Sequence, residues 1–244
     1  MQYVRSKLFD VVLVLWTLLM SSAIPVLMIC GKPRAGIRRV AQIWLRGIEL
    51  AIWYIIGLQY IERGRENIPD GPCLIVANHQ SPWETIILAL KFPNAAFVVK
   101  AELGRIPAVG WGIKNYPMIL IDRASGAKAA RQLVFQSKAA VLDGQSILIF
   151  PEGTRKSTAD RVVFKRGVEF LYSELGLPVL PIAVNSGAFW GPDRSFKNRG
   201  VITVSYLPVI QPGLSRADFY DKAQTILQSE KEKLIAELDI APGV

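Results

Sequence analysis

Residues 78–84 contain the side chains of this sequence that are best suited to acid–base chemistry. His79 is the single histidine among 244 residues, and imidazole is the side chain whose ordinary pKa lies closest to neutral pH. Glu84 follows five positions later. A carboxylate that accepts a hydrogen bond from one ring nitrogen leaves the other nitrogen free to remove a proton from a hydroxyl group. The pair therefore predicts an imidazole base that is oriented by an acidic partner.

The sequence around this pair predicts a loop between a strand and a helix. Residues 74–77 form a short apolar run that is typical of a buried strand. Ser81, Pro82 and Glu84 have the types and spacing of an N-cap, a first helical residue and a capping-box carboxylate. His79 would then lie at the carboxyl end of a strand, where open α/β sheets bind ligands. The alternative is that Glu84 only completes the capping box and His79 is a surface loop residue.

Three basic residues follow apolar runs further along the chain: Lys100, Arg123 and Arg155. Because the carboxyl ends of parallel strands meet at one edge of a sheet, these cations would lie together there. Arginine also offers a planar fork that binds phosphate or carboxylate groups. The pattern predicts a site for an anionic ligand, and the alternative is that Arg155 only pairs with Glu152 within a turn.

The composition favours a membrane surface over nucleic acid as the partner. The chain has 29 Lys and Arg against 20 Asp and Glu, a net charge of +9, and 51% hydrophobic residues. Basic and apolar character together suit an anionic bilayer, whereas aromatic residues interleaved with basic ones would be expected of a nucleic-acid groove. Cys30 and Cys73 lie in apolar runs and indicate free thiols. One histidine and two separated cysteines argue against a zinc site, and nothing in the sequence requires a metal or another cofactor.

The N-terminal region contains two apolar stretches. Residues 11–30 include no charged residue and as a helix would extend about 30 Å, the thickness of the bilayer core. A second stretch covers residues 40–58. A helical hairpin that enters one leaflet is favoured over two full spans, because it keeps all the basic residues around the stretches on one side. A cleaved signal peptide and two core helices of a soluble domain are the alternatives. Residues 1–62 are therefore predicted to be a two-helix membrane anchor.

From residue 63 to residue 244 the sequence predicts one α/β domain. Apolar β-prone runs recur at 73–77, 96–99, 118–121, 146–150, 178–184 and 201–207. Helical patterns cover residues 125–142 and 166–175, and a final amphipathic helix begins near Ser215. This alternation predicts a mostly parallel sheet flanked by helices.

Four segments, in this order, resemble the sequence blocks of the glycerolipid acyltransferase family, and the pattern is most similar to its bacterial lysophosphatidate acyltransferases. The resemblance extends from about residue 63 to residue 210. The four segments are Asn-His-Gln-Ser-Pro-Trp-Glu at 78–84, Ile-Leu-Ile-Asp-Arg at 119–123, Phe-Pro-Glu-Gly-Thr-Arg at 150–155 and Val-Leu-Pro-Ile-Ala at 179–183.

The resemblance implies roles for individual residues. His79 would be the general base, with Glu84 where the family usually has Asp. The residues that would bind the substrate and its phosphate are Lys100, Arg123, Glu152, Gly153, Arg155 and Lys165. One further departure is Pro117, which stands where a glycine is usual near the start of the second block.

The resemblance also implies an activity. An acyl chain would pass from acyl-CoA or acyl carrier protein to the sn-2 hydroxyl of lysophosphatidate, giving phosphatidate for phospholipid synthesis at the cytoplasmic face of the inner membrane. The alternatives are another lyso-lipid or glycerol-3-phosphate as the acceptor, or a non-catalytic peripheral protein that binds anionic lipid. A serine hydrolase is disfavoured because no Gly-x-Ser-x-Gly segment is present.

Overall fold

The computed structural model describes residues 1–29, 31, 33–105, 116–122, 126–192 and 196–240. Its helices are α1 (Gln2–Ile29), α2 (Pro33–Ala51), α3 (Pro82–Lys91), α4 (Gly126–Leu142), α5 (Gly167–Leu175) and α6 (Arg216–Ile240). Its strands are β1 (Leu58–Arg63), β2 (Leu74–Ala77), β3 (Ala95–Lys100), β4 (Met118–Ile121), β5 (Ser146–Ile149), β6 (Val179–Val184) and β7 (Gly200–Tyr206).

The seven strands form one sheet in the order β1-β7-β6-β2-β5-β3-β4. All neighbouring strands are parallel except β6 and β7, which pair antiparallel. The predicted fold class, a mostly parallel sheet flanked by helices, is confirmed. Because β2, β5 and β3 are adjacent and parallel, the loops that follow them emerge at the same edge of the sheet.

Helices cover both faces of the sheet, and alternate residues of each strand point to opposite faces. Leu74 and Val76 of β2 belong to a core with α4, α5 and α6. Ile75 and Ala77 belong to a second core with α1, α2 and α3. All four of these β2 side chains are fully buried, so the strand that precedes His79 is held from both sides.

Strand β1 was not predicted from the sequence. The expected helix over residues 40–58 ends in a π-helical turn at Ile52–Ile56, and Gly57 follows with φ +77°. This left-handed conformation is easily adopted by glycine and redirects the chain into β1. The residues of β1 are more exposed on one face than on the other, as expected of a strand at the sheet edge.

Helices α1 and α2 pack against each other as an antiparallel pair. Trp16 Nε1 donates to the Trp44 carbonyl oxygen at 3.0 Å, and Trp44 Nε1 donates to Thr17 Oγ1 at 3.0 Å. A Cβ atom on Gly47 would lie 2.4 Å from the Trp16 ring, so only glycine permits this approach. The contacts fix the hairpin that the two apolar stretches predicted, with α1 beginning at Gln2 rather than at residue 11.

Helix α1 presents a long apolar surface to the outside. Residues 2–27 are long and apolar enough to cross a membrane, and only 6% of the most apolar window is buried within the protein. Its outward side chains include Val11, Leu15, Leu18 and Leu19, each more than half exposed. An exposed apolar surface of this extent is typical of membrane association. Cys30 and Lys32, in the connection to α2, lie outside the described residues.

Candidate active site

His79 and Glu84 are in direct contact. His79 Nδ1 lies 2.8 Å from Glu84 Oε1, and the Glu84 side chain is fully buried. Because an ionised carboxylate can only accept, Nδ1 donates and the imidazole is left with its lone pair on Nε2. The spatial pairing predicted from five-residue spacing is therefore present in the structure.

Glu84 is also held by three donors besides the imidazole. Oε1 accepts from the backbone N–H groups of Gln80 at 2.7 Å and Ser81 at 2.6 Å, and Oε2 accepts from Ser186 Oγ at 2.7 Å. Ser81 Oγ accepts from Trp83 N, which completes the capping box at the start of α3. The two predicted roles of Glu84 are thus not exclusive, since one carboxylate both caps the helix and orients the imidazole.

The His79 ring is held in place on its flat side by Phe150. The two ring centroids are 4.2 Å apart and nearly parallel, at 18°. The His79 side chain is 14% exposed, and its Nε2 makes no hydrogen bond to any residue that the structure describes. The nitrogen with the free lone pair is therefore oriented and available to a substrate hydroxyl.

The loop that carries His79 is fixed to β6 through its neighbours. The Asn78 side chain donates to the Val184 carbonyl at 2.9 Å and accepts from the Val184 N–H at 2.8 Å. Gln80 Oε1 accepts from Gly187 N at 3.2 Å. These long-range bonds hold both sides of the loop and leave the imidazole little freedom to move.

Glu152, in the segment that follows β5, contacts the backbone of the same loop. Its Oε1 accepts from the His79 backbone N–H at 2.8 Å, and its side chain is nearly completely buried. Burial raises the pKa of Glu152 from 4.5 to about 7; the His79 N–H and the charges of Lys231 and Lys156 oppose this rise, and Glu84 adds to it. A second carboxylate therefore positions the backbone of His79 while Glu84 positions its ring.

The segment after β5 wraps around the His79 loop. Lys156 N donates to the His79 carbonyl oxygen at 2.7 Å, so Arg155 is one residue from a direct backbone contact with the loop. Gly153 has φ +73° and donates its N–H to the Phe150 carbonyl at 3.0 Å, which makes the tight turn that a glycine allows. Glu152 faces His79 rather than Arg155, so the turn is not held by the alternative Glu152–Arg155 pair.

The predicted cations are distributed along this edge of the sheet. Lys100 is the last residue of β3, and Lys100 and Arg155 are both exposed. Arg123 lies outside the described residues. Lys165 N donates to the Pro151 carbonyl at 2.9 Å, and its side chain lines a cavity on the face of the sheet that α4 and α5 cover.

An apolar cavity of about 300 Å³ lies on the opposite face of the sheet. Its walls come from α1, α2, α3, β3 and β4, and they include Ile24, Trp44, Ile86, Phe97 and Val99. Thr85, the residue after Glu84, also lines it. The cavity is therefore one residue along α3 from Glu84, the partner of His79.

Some residues of the site were not found from the sequence. Ser186 contacts Glu84 across 102 positions, and Lys231 of α6 is 97% buried with its Nζ bonded to the Asp160 carbonyl. Ser186 lies two residues past the carboxyl end of β6, so the rule that points to loops at strand ends could have found it. Lys231 lies between Leu227 and Leu234 in the apolar stripe of α6, so a lysine at a core-facing position was the signal that could have found it.

The sequence of this chain is similar to those of known proteins. The family model described as Acyltransferase matches residues 60–185. The 1-acyl-sn-glycerol-3-phosphate acyltransferase of Pseudomonas aeruginosa is 38% identical over 207 residues, which is 84% of this chain and 78% of that protein. The protein of the same description from Helicobacter pylori is 32% identical over 174 residues, 69% of this chain and 72% of its own length.

A solved structure has the same fold. The 1-acyl-sn-glycerophosphate acyltransferase PlsC from Thermotoga maritima superimposes with a TM-score of 0.72 and covers 98% of this chain and 100% of its own, at 21% sequence identity. The family model spans more than half of the chain, and it includes the strand and loop that carry His79 together with the turn that carries Glu152. This chain therefore belongs to the Acyltransferase family.

Proposed function

We propose that this protein transfers an acyl chain from a thioester donor to the sn-2 hydroxyl of lysophosphatidate, forming phosphatidate. The observation that carries the proposal is the contact between His79 and the buried Glu84, which leaves Nε2 of the imidazole without a partner among the described residues. The printed activity of the Pseudomonas and Helicobacter relatives supports lysophosphatidate as the acceptor.

The imidazole moves the proton in both halves of the reaction. His79 Nε2 takes the proton of the acceptor hydroxyl as its oxygen forms a bond to the thioester carbonyl carbon. When the tetrahedral intermediate collapses, the carbon–sulfur bond breaks and the imidazolium returns the proton to the departing thiolate. Glu84 stabilises the imidazolium between these steps. The products are the new ester and a free thiol, and no covalent enzyme intermediate forms.

The cations at the carboxyl edge of the sheet hold the phosphate of the acceptor. Lys100 and Arg155 are exposed there, and Arg155 adjoins the residue that bonds to the His79 carbonyl. Arg123 joins them in this proposal on the basis of its place after β4. A phosphate fixed by charge-assisted hydrogen bonds places the neighbouring glycerol hydroxyl at His79 and so supplies proximity.

The apolar cavity beside Glu84 receives the acyl chain of the donor. Its wall is almost entirely apolar, and it contains side chains of both α1 and α2. Because an alkyl chain gains free energy from each methylene removed from water, a cavity of this kind favours a long-chain thioester.

We place the protein on the cytoplasmic face of the inner membrane, with the α1–α2 pair in one leaflet. Helix α2 packs on the globular domain through Leu45 and Ile48, and α1 packs along α2. Lys197 also pairs with Asp10 of α1 at 2.7 Å. The attachment of α1 to the domain at Asp10, together with its packing along α2, supports an orientation beside the membrane surface rather than across the bilayer.

The proposal is tested by release of thiol from acyl-CoA by the purified protein, with and without lysophosphatidate. Wild type is expected to release thiol only when the acceptor is present, and His79→Ala is expected to lose about 10²–10⁴-fold of this activity because the base is gone. Lys222→Gln, which changes an exposed residue of α6, is the matched control.

Three other outcomes contradict the proposal. Thiol release without acceptor would indicate a hydrolase. Lipid binding without any thiol release would indicate a binding protein. Full activity of His79→Ala would remove the imidazole from the mechanism.

A further inference from the structure

The proposed acyl transfer leaves a second cavity of the protein without a ligand. It has a volume of about 630 Å³ and lies between α4 and α5, on the face of the sheet opposite the α1–α2 pair. Its floor consists of Val98, Ile121 and Ile149, at the carboxyl ends of β3, β4 and β5. It is therefore open at the same edge of the sheet as the His79 loop.

The cavity adjoins the reacting imidazole. Phe150 lines it and also stacks on the His79 ring at 4.2 Å. Pro151 and Gly153 line it as well, on either side of the residue that accepts from the His79 N–H. A molecule that fills this cavity would end beside His79, on the side away from the apolar cavity.

The lining combines apolar walls with two cations. Lys165 and Arg166 are exposed, and neither forms an ion pair with any residue in the described ranges. Glu169 is the one carboxylate in the described lining, so the cations are in excess. Such a cavity suits a neutral, partly apolar segment that ends in an anionic group.

The position of this second cavity indicates that it binds part of the donor rather than the acceptor. A thioester donor extends in two directions from its carbonyl group, and the apolar cavity accepts only the acyl direction. Phe97 and Val99 of β3 line the apolar cavity, whereas Val98 between them lines the second one. In the proposed function the acceptor is a lipid, and the exposed apolar surface of α1 makes the α1–α2 side the one that faces lipid. The water-soluble part of the donor can approach from the opposite face.

We propose that the second cavity binds the 4′-phosphopantetheine arm of the acyl donor, with Lys165 and Arg166 binding its phosphate. The inference rests on the proposed acyl transfer and names a site for the part of the donor that acyl-CoA and acyl carrier protein share. It moves Lys165 from the phosphate of the acceptor, where the family resemblance placed it, to the phosphate of the donor.

The test compares donors that differ by one phosphate. Acyl-4′-phosphopantetheine and acyl-pantetheine are each supplied with lysophosphatidate, and kcat/KM is measured for wild type, for Lys165→Gln/Arg166→Gln and for the control Lys222→Gln. Wild type and control are expected to prefer the phosphorylated donor by about 10–100-fold, since a hydrogen bond to a charged group contributes about 1.5–3 kcal/mol. The double variant is expected to lose this preference and to use acyl-pantetheine as wild type does.

A second variant tests the cavity itself. Ala130→Met places a larger side chain on the α4 wall, and it is expected to raise KM for both pantetheine donors while KM for lysophosphatidate stays unchanged. Acyl-CoA and acyl carrier protein are then compared in the double variant, and similar losses with both are expected because they share the arm. A loss with acyl-CoA alone would overturn the proposal, because the cations would then bind the nucleotide.

Failure of this inference is distinguishable from failure of the proposed function. If wild type transfers acyl groups but the double variant keeps its preference for the phosphorylated donor, only the donor site is wrong. If the double variant has a higher KM for lysophosphatidate and an unchanged kcat/KM for both donors, Lys165 and Arg166 bind the acceptor instead. Absence of acceptor-dependent thiol release from wild type would instead overturn the acyl transfer itself.

Discussion

Two buried carboxylates hold the His79 loop, and they are satisfied to different degrees. Glu84 accepts hydrogen bonds from the imidazole, from two backbone N–H groups and from Ser186. Glu152 accepts from the His79 N–H, and burial raises its pKa to about 7. A buried carboxyl group loses its hydration, and hydrogen-bond donors from the protein can replace it.

This difference separates an orienting role from a supporting one. Glu84 contacts the ring that exchanges protons with the substrate, whereas Glu152 contacts only the backbone of the same residue. Removal of Glu84 should therefore affect the chemical step directly. Removal of Glu152 should act through the position of the loop.

The largest effect is expected for Glu84→Gln. The amide keeps the size of the side chain but cannot stabilise an imidazolium, and its NH₂ group can force the wrong tautomer on His79. Loss of the orienting carboxylate in comparable hydroxyl-activating sites costs about 10⁴-fold, so kcat is expected to fall about 10³–10⁴-fold. Glu66→Gln, at an exposed glutamate, is the control for carboxylate loss.

An intact kcat in Glu84→Gln would remove the distinction between the two carboxylates. The measurement is kcat and KM for the acceptor, together with the thermal unfolding midpoint in detergent. A lower unfolding midpoint with an unchanged kcat would mean that Glu84 acts only as a helix-capping residue of α3.

A smaller effect is expected at Glu152. Glu152→Ala leaves the His79 N–H without its acceptor, which costs about 1–3 kcal/mol. If the loop must return to its observed position before the reaction can occur, kcat/KM is expected to fall by about 5–150-fold. Glu152→Gln retains an oxygen acceptor and is expected to lose less than Glu152→Ala. Equal losses in the two variants would show that charge rather than the hydrogen bond supports the loop.

The raised pKa of Glu152 also predicts a dependence of stability on pH. Between pH 4.5 and pH 7 the folded protein holds a proton on Glu152 that the unfolded chain has released. Stability from this group is therefore present below pH 4.5 and is lost as the pH rises through 7. A rise in pKa from 4.5 to about 7 corresponds to about 3 kcal/mol.

Comparison of wild type with Glu152→Gln isolates this contribution. The free energy of unfolding of wild type relative to the variant is expected to decline by up to about 3 kcal/mol between pH 4.5 and pH 8. Denaturant unfolding in detergent at both pH values measures it. A constant difference, or one that grows with pH, would mean that Glu152 is ionised throughout this range.

The sequence predicted the parts of the molecule that depend on neighbouring residues. Six strands coincide with mainly apolar, β-prone runs, and the His79–Glu84 contact joins residues only five apart. Strand β1 was missed because its alternating residues directly follow an apolar helical stretch. The start of α1 was placed too late because the run without charged residues begins only at residue 11, and Asp10, which pairs with Lys197 across 187 positions, precedes it.

The contacts that Glu152 and Ser186 make in the site were not predicted, because they join residues that are far apart in the sequence. Glu152 and Ser186 contact the His79 loop across 73 and 102 positions. Nothing in the local sequence tells which strand ends lie next to each other. The strand order, in which β2 lies between β5 and β6, brings these loops together.

Lys231 offers the smallest effect and the finest test of the contrast between the carboxylates. Its buried Nζ donates to the Asp160 carbonyl, and its charge lowers the pKa of Glu152 against the effect of burial. The other charges around Glu152 are Lys156 and Glu84, and Glu232 and Asp160 face Lys231 itself. Lys231→Met should therefore move the ionisation of Glu152 to higher pH, and it should lower the free energy of unfolding by about 0.5–1.5 kcal/mol, as loss of one ordinary hydrogen bond would.

The pH profile separates this electrostatic role from a structural one. Lys231→Met is expected to move the loss of the Glu152 stability contribution to higher pH in denaturant unfolding, and Lys231→Arg to restore it, since the positive charge returns. In a Glu152→Gln background the shift should disappear, because the group that responds to Lys231 no longer titrates. A shift that persists in that background would mean that Lys231 acts on a titratable group other than Glu152, and Glu152 would then keep only its hydrogen bond to the His79 loop.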